Sequence, residues 1–313
     1  LRPARFFRAS APALSIAGFA QLGWLAYVVV EMNHSRIELC NVEGRSSLHL
    51  HEHARVLDVE RRSAGRFSSD PMDALARWEE FCTWAKLLQD DAGDGPLDPA
   101  LLGPCVPRPR QIFGIGLNYR DHAQEAKLPE PKQPMVFTKF PSCVSGARAP
   151  IALTSETVDW EVELVVVIGQ TAQSVSTEDA LTYVAGYCVG QDVSDRRLQF
   201  SDVPPQFSLG KSAPGFGPVG PWLVSRDTVD WANLKLTCDV NGQRMQDGKT
   251  SDMLFGVPEL VAFLSRHCTL LPGDLIFTGT PAGVGSTRSP RQYLRPGDVV
   301  RSEITGLGVL ENR

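Results

Sequence analysis

The sequence of 313 residues predicts an α+β fold in which strands outnumber helices. Short apolar and β-branched runs, typical of strands, recur along most of the chain. Helix signals do not alternate regularly with these runs, which argues against a doubly wound parallel sheet. Asn241-Gly242, directly after one of the runs, is a strong hairpin signal. We therefore expect a mixed, strand-rich fold without internal repeats.

Residues 32–105 are predicted to form a small, strand-rich N-terminal domain. The alternating segments RIELCNV, GRSSLHLH and ARVLDVE predict strands that are separated by turns. A helix is predicted over 70–88, because Asp70 can cap it, Pro71 suits its first turn and apolar residues recur at helical spacing. The segment 90–110 is rich in Gly, Pro and Asp and predicts a linker, with a domain boundary near residue 105.

Residues 106–313 are predicted to form the larger domain. A short helix is predicted at DHAQEAK, where prolines stop it, and further helices at 177–185 and 257–266, where Thr177 and Pro258 fit helix starts. Strands are predicted at QIFGIGLNY, PMVFTK, VELVVVIG, PWLVS, LKLTCDVNG, DLIFTG and DVVRSEI.

The first 31 residues differ from the rest of the chain. Residues 11–30, APALSIAGFAQLGWLAYVVV, carry no charge and follow three arginines, which is the form of a signal peptide or a membrane anchor. Met32 directly follows this run, and the chain begins with Leu1. We therefore expect residues 1–31 to be an apolar leader that arises from a spurious start or is disordered. A true signal or anchor, or a part of the fold, are the alternatives.

Charge and cysteine content exclude several classes of protein. The chain has 31 Lys+Arg against 36 Asp+Glu, and a net charge of −5 argues against a nucleic-acid binder. The 7 cysteines include no CxxC pair, which argues against a disulfide framework or a zinc site and suits a reducing compartment. We expect a cytoplasmic protein without membrane association, unless residues 11–30 are a real anchor.

Two glutamates at the start of a buried strand are the most informative feature. In DWEVELVVVIG, Glu161 and Glu163 are two residues apart, so their side chains point to the same face of the strand. Two carboxylates at a core strand need a positive partner, and a hard cation such as Mg²⁺, Mn²⁺ or Ca²⁺ provides one. Asp192, after another apolar run, could complete such a set. The alternatives are a solvent-exposed strand end and a turn or capping aspartate.

Three further segments have the composition of a functional site. His122 and Glu125 share a helix face and could form a general-base pair or a surface ion pair. Lys211 lies in the constrained segment SLGKSAPGFGPVGP, and Thr280 lies in the Gly-rich FTGTPAGVG. Either segment could bind substrate or be an ordinary turn. The chain contains neither a P-loop nor a GxSxG motif.

Taken together, these segments resemble the fumarylacetoacetate hydrolase family from about Gln111 to Glu303. The resemblance implies a layered mixed β-sheet roll around a metal ion, preceded by a small β-rich domain, in a protein that forms a homodimer. The matching segments, in the family's order, are GLNYRDHAQE, MVFTKFPS, DWEVELVVVIG, YVAGYCVGQDVSDR, FSLGKS, VNGQRMQDGKTSDM and FTGTPAGVG.

The resemblance also implies the roles of individual residues. It implies that a divalent cation, Mg²⁺ or Mn²⁺ with Ca²⁺ as a further candidate, is held by Glu161, Glu163 and Asp192. It implies catalytic roles for His122, Glu125 and Lys211. By position, the residues that correspond to substrate contacts in relatives are Lys139, Arg196, Gln199 and Thr280.

The implied activity is that of a hydrolase acting on carbon–carbon bonds in ketonic substances. We expect cleavage of a 2,4-dioxo acid of the acylpyruvate or fumarylpyruvate type, as formed in aromatic compound catabolism, to pyruvate and a carboxylic acid. One alternative is an isomerase or decarboxylase of related dioic 2-oxo acids, of the hydroxyhepta-dienedioate isomerase or oxaloacetate decarboxylase type. A catalytically silent member of the family and a membrane-tethered enzyme are the others. The expected ligand is a small-molecule 2-oxo acid.

Overall fold

The computed structural model describes residues 36–88 and 92–313, so the predicted leader over residues 1–31 lies outside the described part. The strands are β1 (Glu38–Val42), β2 (Arg45–Leu50), β3 (Arg55–Asp58), β4 (Gly95–Pro96), β5 (Ile112–Gly116), β6 (Met135–Thr138), β7 (Val144–Ser145), β8 (Val158–Asp159), β9 (Val162–Ile168), β10 (Val184–Gln191), β11 (Ser194–Asp195), β12 (Gly217–Ser225), β13 (Lys235–Val240), β14 (Gln243–Lys249), β15 (Leu275–Phe277), β16 (Val300–Ile304) and β17 (Gly308–Asn312).

Helices are fewer and mostly short. The α-helices are α1 (Val59–Arg62), α2 (Pro71–Ala76), α3 (Trp78–Ala85), α4 (Arg120–Glu125), α5 (Arg196–Gln199), α6 (Phe207–Gly210) and α7 (Val257–His267). The 3-10 helices are His51–His53, Lys86–Leu88, Pro99–Leu101, Pro141–Cys143, Ala180–Tyr183, Arg226–Thr228, Trp231–Asn233, Thr250–Asp252 and Gly285–Thr287.

The strands form one large mixed sheet and two smaller units. The large sheet has the order β4-β3-β2-β1-β12-β10-β9-β15-β5-β6, and β7 pairs with β12 outside this path. A four-stranded sheet has the order β14-β13-β16-β17, and β8 pairs with β11. Most pairs are antiparallel, whereas β15 with β5 and β12 with β7 are parallel. These sheets confirm the predicted α+β class.

The centre of the large sheet is buried along its whole length. Every residue of β9 and of β10 is buried, which explains why both strands read as nearly continuous apolar runs. Close packing extends to the glycines here, because a Cβ at Gly190 would lie 2.4 Å from a methyl carbon of Val165. This close packing holds β9 and β10 in fixed positions relative to each other, and the polar residues described below lie at the ends of these two strands.

The N-terminal strands join the same large sheet. β1 pairs antiparallel with β12, with Leu39 opposite Leu223. On β1, burial acts to raise the pKa of Glu38, but a hydrogen bond with His49 and an ion pair with Arg36 hold this pKa below the usual value. The domain boundary near residue 105 stays a prediction.

The predicted helix over 70–88 is present in two parts. Asp70 caps α2 by accepting a hydrogen bond from the backbone N–H of Met72 at 2.9 Å. Arg77, with φ −127° and ψ 42°, interrupts the helix before α3 begins. Its guanidinium turns back over the Phe67 ring, 4.4 Å from the ring centroid, and pairs with Asp73. The amphipathic spacing thus predicted the extent of the helical region but not its break.

Of the other predicted helices and turns, three are confirmed and one is wrong, and the short helix predicted at DHAQEAK is α4. The helix over 257–266 is α7, and Asn241-Gly242 turns the chain between β13 and β14 with φ of 52° and 77°. The helix over 177–185 is reduced to the 3-10 turn Ala180–Tyr183, because strand β10 begins at Val184.

Among the described residues, no helix is both long and apolar enough to cross a bilayer.

Candidate active site

The two strands at the centre of the sheet bring three carboxylates together. Glu161 and Glu163 lie at the start of β9 on one face, and Asp192 directly follows β10. β9 and β10 are antiparallel with Val162 opposite Gln191, and the Asp192 N–H donates to the Glu161 carbonyl at 2.9 Å. Oxygen atoms of the three carboxylates lie within 4.8 Å of one another, and all three residues are buried. The predicted set therefore converges in space.

Lysine and arginine side chains offset part of this negative charge. The ammonium group of Lys211 donates to Glu161 at 2.7 Å and also to Asp192. Lys139 donates to the other oxygen of Asp192 at 2.6 Å. Arg196 pairs with Glu161 and, at 2.9 Å, donates to Asp159.

Glu163 is the carboxylate that these cations leave uncompensated. Among the described residues no Lys or Arg forms an ion pair with it, and its side chain accepts a hydrogen bond from the Gly279 N–H at 2.7 Å. Burial, with the charges of Asp192 and Glu161, raises the pKa of Glu163 well above its usual range. Burial acts in the same direction on Glu161, but Lys211 and other cations lower the pKa of that group to about 2.

This charge balance fits a divalent cation. The donor atoms are carboxylate oxygens, which hard cations such as Mg²⁺ and Mn²⁺ prefer. Glu163, whose ionisation is opposed by burial and by Asp192 and Glu161, lies with them within 4.8 Å, and a bound cation would offset this repulsion and favour its charged form. Glu161, Glu163 and Asp192 are thus suited to hold such an ion.

The helix α4 presents the imidazole–carboxylate pair. His122 Nδ1 lies 3.6 Å from a Glu125 oxygen, and this nitrogen is buried without a hydrogen-bond partner in the described part of the chain. Glu125 accepts hydrogen bonds from the Gly283 N–H at 3.0 and 3.2 Å. Although burial opposes it, the contacts with His122 and Gly283 lower the pKa of Glu125, so that this carboxylate stays charged.

These groups meet at one cavity of about 390 Å³. Thr280 lines it, but its hydroxyl is engaged, since it donates to the Val162 carbonyl and accepts from Gln246, both at 2.8 Å. Gln199 lines it too and accepts from Arg196 at 2.9 Å. The predicted site residues at its wall are His122, Glu161, Glu163, Arg196, Gln199, Lys211 and Thr280.

The remaining predicted residues lie behind this wall. Lys139 is buried, and its ammonium group donates to Asp192 and to the carbonyls of Lys211 and Phe216. Glu125 stands behind His122, as described above. Neither Lys139, Asp192 nor Glu125 is among the described residues that line the cavity.

Two aspartates of the site did not emerge from the sequence reasoning. Asp159 is fully buried and accepts from Arg196 and from the Gly285 N–H at 2.7 Å. Asp121 accepts from the Ala282 N–H at 3.2 Å and so ties α4 to the same Gly-rich segment. A signal for Asp159 was available, because it precedes Glu161 by two residues and continues the alternation of acidic residues in DWEVE, although the structure places it on β8 and not on β9.

Comparison with known proteins identifies relatives of this chain. A mitochondrial oxaloacetate tautomerase, FAHD2B of Bos taurus, is 46% identical over 211 residues, which are 66% of this chain and 67% of that protein. The crystal structure of a putative HpcE protein from Mycobacterium smegmatis has 43% identity and a TM-score of 0.81, covering 88% of this chain and 98% of that one.

A third relative was solved with ligands. Maleylpyruvate hydrolase from Sphingobium sp. SYK-6, in complex with manganese(II) and pyruvate, has 27% identity and a TM-score of 0.73, covering 88% of this chain and 97% of that one. The family model described as fumarylacetoacetate (FAA) hydrolase C-terminal matches residues 111–313. The chain therefore belongs to the fumarylacetoacetate hydrolase family, whose members among these relatives include a hydrolase and a tautomerase.

Proposed function

We propose that this chain is a divalent-cation-dependent hydrolase that cleaves a carbon–carbon bond in a 2,4-dioxo acid and releases pyruvate and a carboxylic acid. The observation that carries the proposal is that Glu161, Glu163, His122 and Lys211 line one cavity, with Asp192 and Glu125 behind them. Such a cleavage needs an electron sink beside the 2-oxo group, a base for water and a cation near the oxygen that gains charge.

The carboxylate set would hold the cation. When bound, Mg²⁺ or Mn²⁺ supplies a Lewis acid that polarises the 2-oxo acid. The manganese and pyruvate named in the solved maleylpyruvate hydrolase complex support this assignment. On the side of the protein, Lys139 and Lys211 fix the orientation of Asp192 through its two oxygens.

His122 acts as the general base in this proposal. Its imidazole takes a proton from water, and the charged Glu125 stabilises the imidazolium that forms. The water oxygen bonds to C4 of the substrate and the C3–C4 bond breaks. The electron pair remains with the three-carbon half, which takes a proton at C3 and leaves as pyruvate.

Lys211 is suited to stabilise the oxygen at C4 as it gains charge. Burial acts to lower its pKa, but the neighbouring Asp192 and Glu161 raise it, so that the side chain remains an ammonium group. We propose that Arg196, Gln199 and Thr280 contact the substrate from the cavity wall, whereas Lys139 acts from behind Asp192.

The second candidate function is the tautomerisation or isomerisation of a dioic 2-oxo acid. The 46% identity with the bovine oxaloacetate tautomerase favours it. That reaction moves a proton between carbon and oxygen, for which His122 and the carboxylate set also suffice, and it needs no attacking water.

The release of pyruvate from acetylpyruvate tests the proposal. We expect release with added Mg²⁺ or Mn²⁺ and its loss with a chelator, because a cation held by the carboxylate set would make the 2-oxo group of the substrate an electron sink. Interconversion of oxaloacetate tautomers by a preparation that releases no pyruvate with either metal would favour the second candidate.

The assembly and the location are further proposals that rest on the family resemblance. We propose a homodimer in the cytoplasm. Sedimentation velocity of the full chain and fractionation with and without residues 1–31 would test these two points.

A further inference from the structure

One wall of the cavity is apolar, in contrast with the charged wall formed by the carboxylates. It is formed by side chains from four segments of the chain, namely Leu117, Leu128, Met135, Phe137, Phe200 and Phe207. The cavity volume of about 390 Å³ lies within the range of small-molecule sites, roughly 300–1,000 Å³. The cavity therefore has room for a substrate group beyond the three carbons that become pyruvate.

Three aromatic rings form a row that begins beside Lys211 and ends at the protein surface. The Phe137 ring centroid lies 4.9 Å from the Lys211 ammonium nitrogen. Phe137 meets Phe207 edge-to-face with centroids 5.8 Å apart, and Phe207 meets Phe200 at 6.1 Å. Phe200 is 59% exposed. A substrate whose C4 oxygen contacts Lys211 would thus extend its C4 substituent along these rings.

The apolar wall offers no positive partner to a second carboxylate. Of the described residues that line the cavity, the positively charged or titratable basic ones are His122, Arg196 and Lys211. Arg196 is bound by Asp159, Glu161 and Gln199, and Lys211 by Glu161 and Asp192. Ser286 and Thr287 add polar atoms to the wall, but hydroxyl groups do not neutralise a charge. A carboxylate placed against the phenylalanines would lose hydration without compensation.

We propose that this wall binds an apolar acyl group, so that the substrate is an alkyl- or aryl-substituted acylpyruvate and not a dicarboxylic 2-oxo acid. The inference rests on the proposed carbon–carbon hydrolysis and narrows its substrate class. In the balanced reaction, R–CO–CH₂–CO–COO⁻ and water give R–COOH and pyruvate, with R lying along Phe137, Phe207 and Phe200.

Binding of a matched pair of ligands tests the inference independently of turnover. 2-Oxooctanoate and 2-oxooctanedioate have the same chain length and differ in a terminal carboxylate, and neither has the 4-oxo group that cleavage requires. Calorimetric titration of the Mn²⁺-loaded full chain should give a Kd at least about tenfold lower for 2-oxooctanoate. Equal affinities, or tighter binding of the dioate, would overturn the inference.

A charge placed on the apolar wall should reverse this preference. Phe207→Lys adds an ammonium group beside the phenylalanines and should strengthen dioate binding while weakening 2-oxooctanoate binding, each about tenfold. Leu209→Lys is the matched control on the same helix, because Leu209 is 56% exposed and is not among the described cavity-lining residues. The control should keep the wild-type preference. If the folded Phe207→Lys variant still preferred 2-oxooctanoate to the dioate as the wild type does, the inference would be contradicted. If that variant does not fold, the calorimetric titration of the wild type decides the question.

Turnover of an acyl series separates this inference from the proposed function. With Mn²⁺, kcat/KM should rise about threefold to fourfold per added methylene from acetyl- to hexanoylpyruvate, the ordinary gain for burying a methylene. Fumarylpyruvate should be cleaved at least about tenfold less efficiently than hexanoylpyruvate. Cleavage that favours fumarylpyruvate would sink the inference and leave the hydrolase proposal standing. If no acylpyruvate is cleaved, the hydrolase proposal fails, while the binding comparison still decides the nature of the wall.

Discussion

At the level of single residues, Glu163 determines how the site responds to pH and to cations. It is buried, lies beside Asp192 and Glu161, and has no lysine or arginine ion-pair partner in the described part of the chain. In the cation-free protein its folded-state pKa is raised well above 4.5, the ordinary value for a glutamate, whereas unfolding of the chain restores that value. Between these two values the folded state binds more protons than the unfolded state, so stability falls as pH rises.

Glu163→Gln should remove this pH-dependent loss. The variant keeps an oxygen that can accept from Gly279 but no longer titrates. With chelator present, we expect the difference in Tm between the variant and the wild type to grow in favour of the variant from about pH 5 to about pH 8. Thermal unfolding at several pH values checks this. A Tm difference that is constant across the range would contradict the assignment of the raised pKa to Glu163.

His122→Ala should separate catalysis from cation binding. The imidazole is outside the carboxylate set, so the Kd for Mn²⁺ should remain unchanged, whereas kcat for acylpyruvate cleavage should fall about 10²- to 10⁴-fold with the loss of the base. His267→Ala, an exposed position at the end of α7, is the matched control and should retain full kcat. Full activity of His122→Ala would show that another group is the base.

At the level of elements, the Gly-rich segment 278–287 connects the strands to the helix α4. Its backbone N–H groups donate to Asp121 and Glu125 on α4 and to Asp159 beside the carboxylate set. The segment can approach these side chains closely because Gly283 adopts φ +107°, a conformation that favours glycine. It therefore fixes α4, which carries His122, relative to the carboxylates.

Gly283→Ala should disturb both stability and catalysis. An added Cβ would lie 2.1 Å from the Met245 carbonyl oxygen, so the segment must shift and Glu125 loses its backbone donor. We expect the free energy of unfolding to fall by about 2–4 kcal/mol and kcat to fall with it, as measured by denaturant unfolding and steady-state kinetics.

Gly297→Ala is the control for backbone strain alone. Gly297 also has a positive φ, +91°, but no atom within 4 Å of an added Cβ. We expect a loss of only about 1–2 kcal/mol and an unchanged kcat. If both variants lost the same stability and kept full activity, the positioning role of the segment would be refuted.

Elements governed by local chemistry could be predicted from the sequence. The Asp70–Pro71 start of α2 and the Asn241-Gly242 turn depend on neighbouring residues, and both are present. The prediction of a helix over 177–185 is wrong, because β10, a strand that is buried on both faces, begins at Val184. At the break, Arg77 contacts Phe67, a residue that precedes the helix, and helical periodicity does not reveal this contact.

At the scale of the whole molecule, the site is assembled by sheet topology. β9 lies between β10 and β15, so three segments distant in sequence place Glu163, Asp192 and Gly279 side by side. The sequence could identify the two glutamates as a same-face pair, since that depends on the strand period alone. Their distance from Asp192 depends on the register of β9 with β10. The complete burial of the Lys139 side chain depends on the segments that pack around it. Without the family resemblance, the sequence therefore predicts neither the distance to Asp192 nor the burial of Lys139.

The central claim, that the site hydrolyses a carbon–carbon bond, is tested most directly by counting both products of one reaction. Acetylpyruvate is incubated with the full chain and Mn²⁺, and pyruvate and acetate are quantified together, with a chelator-treated sample in parallel. We expect equal amounts of the two products, formed only when the cation is present. Consumption of the enol form of oxaloacetate by the same preparation, with neither pyruvate nor acetate formed from acetylpyruvate, would contradict it.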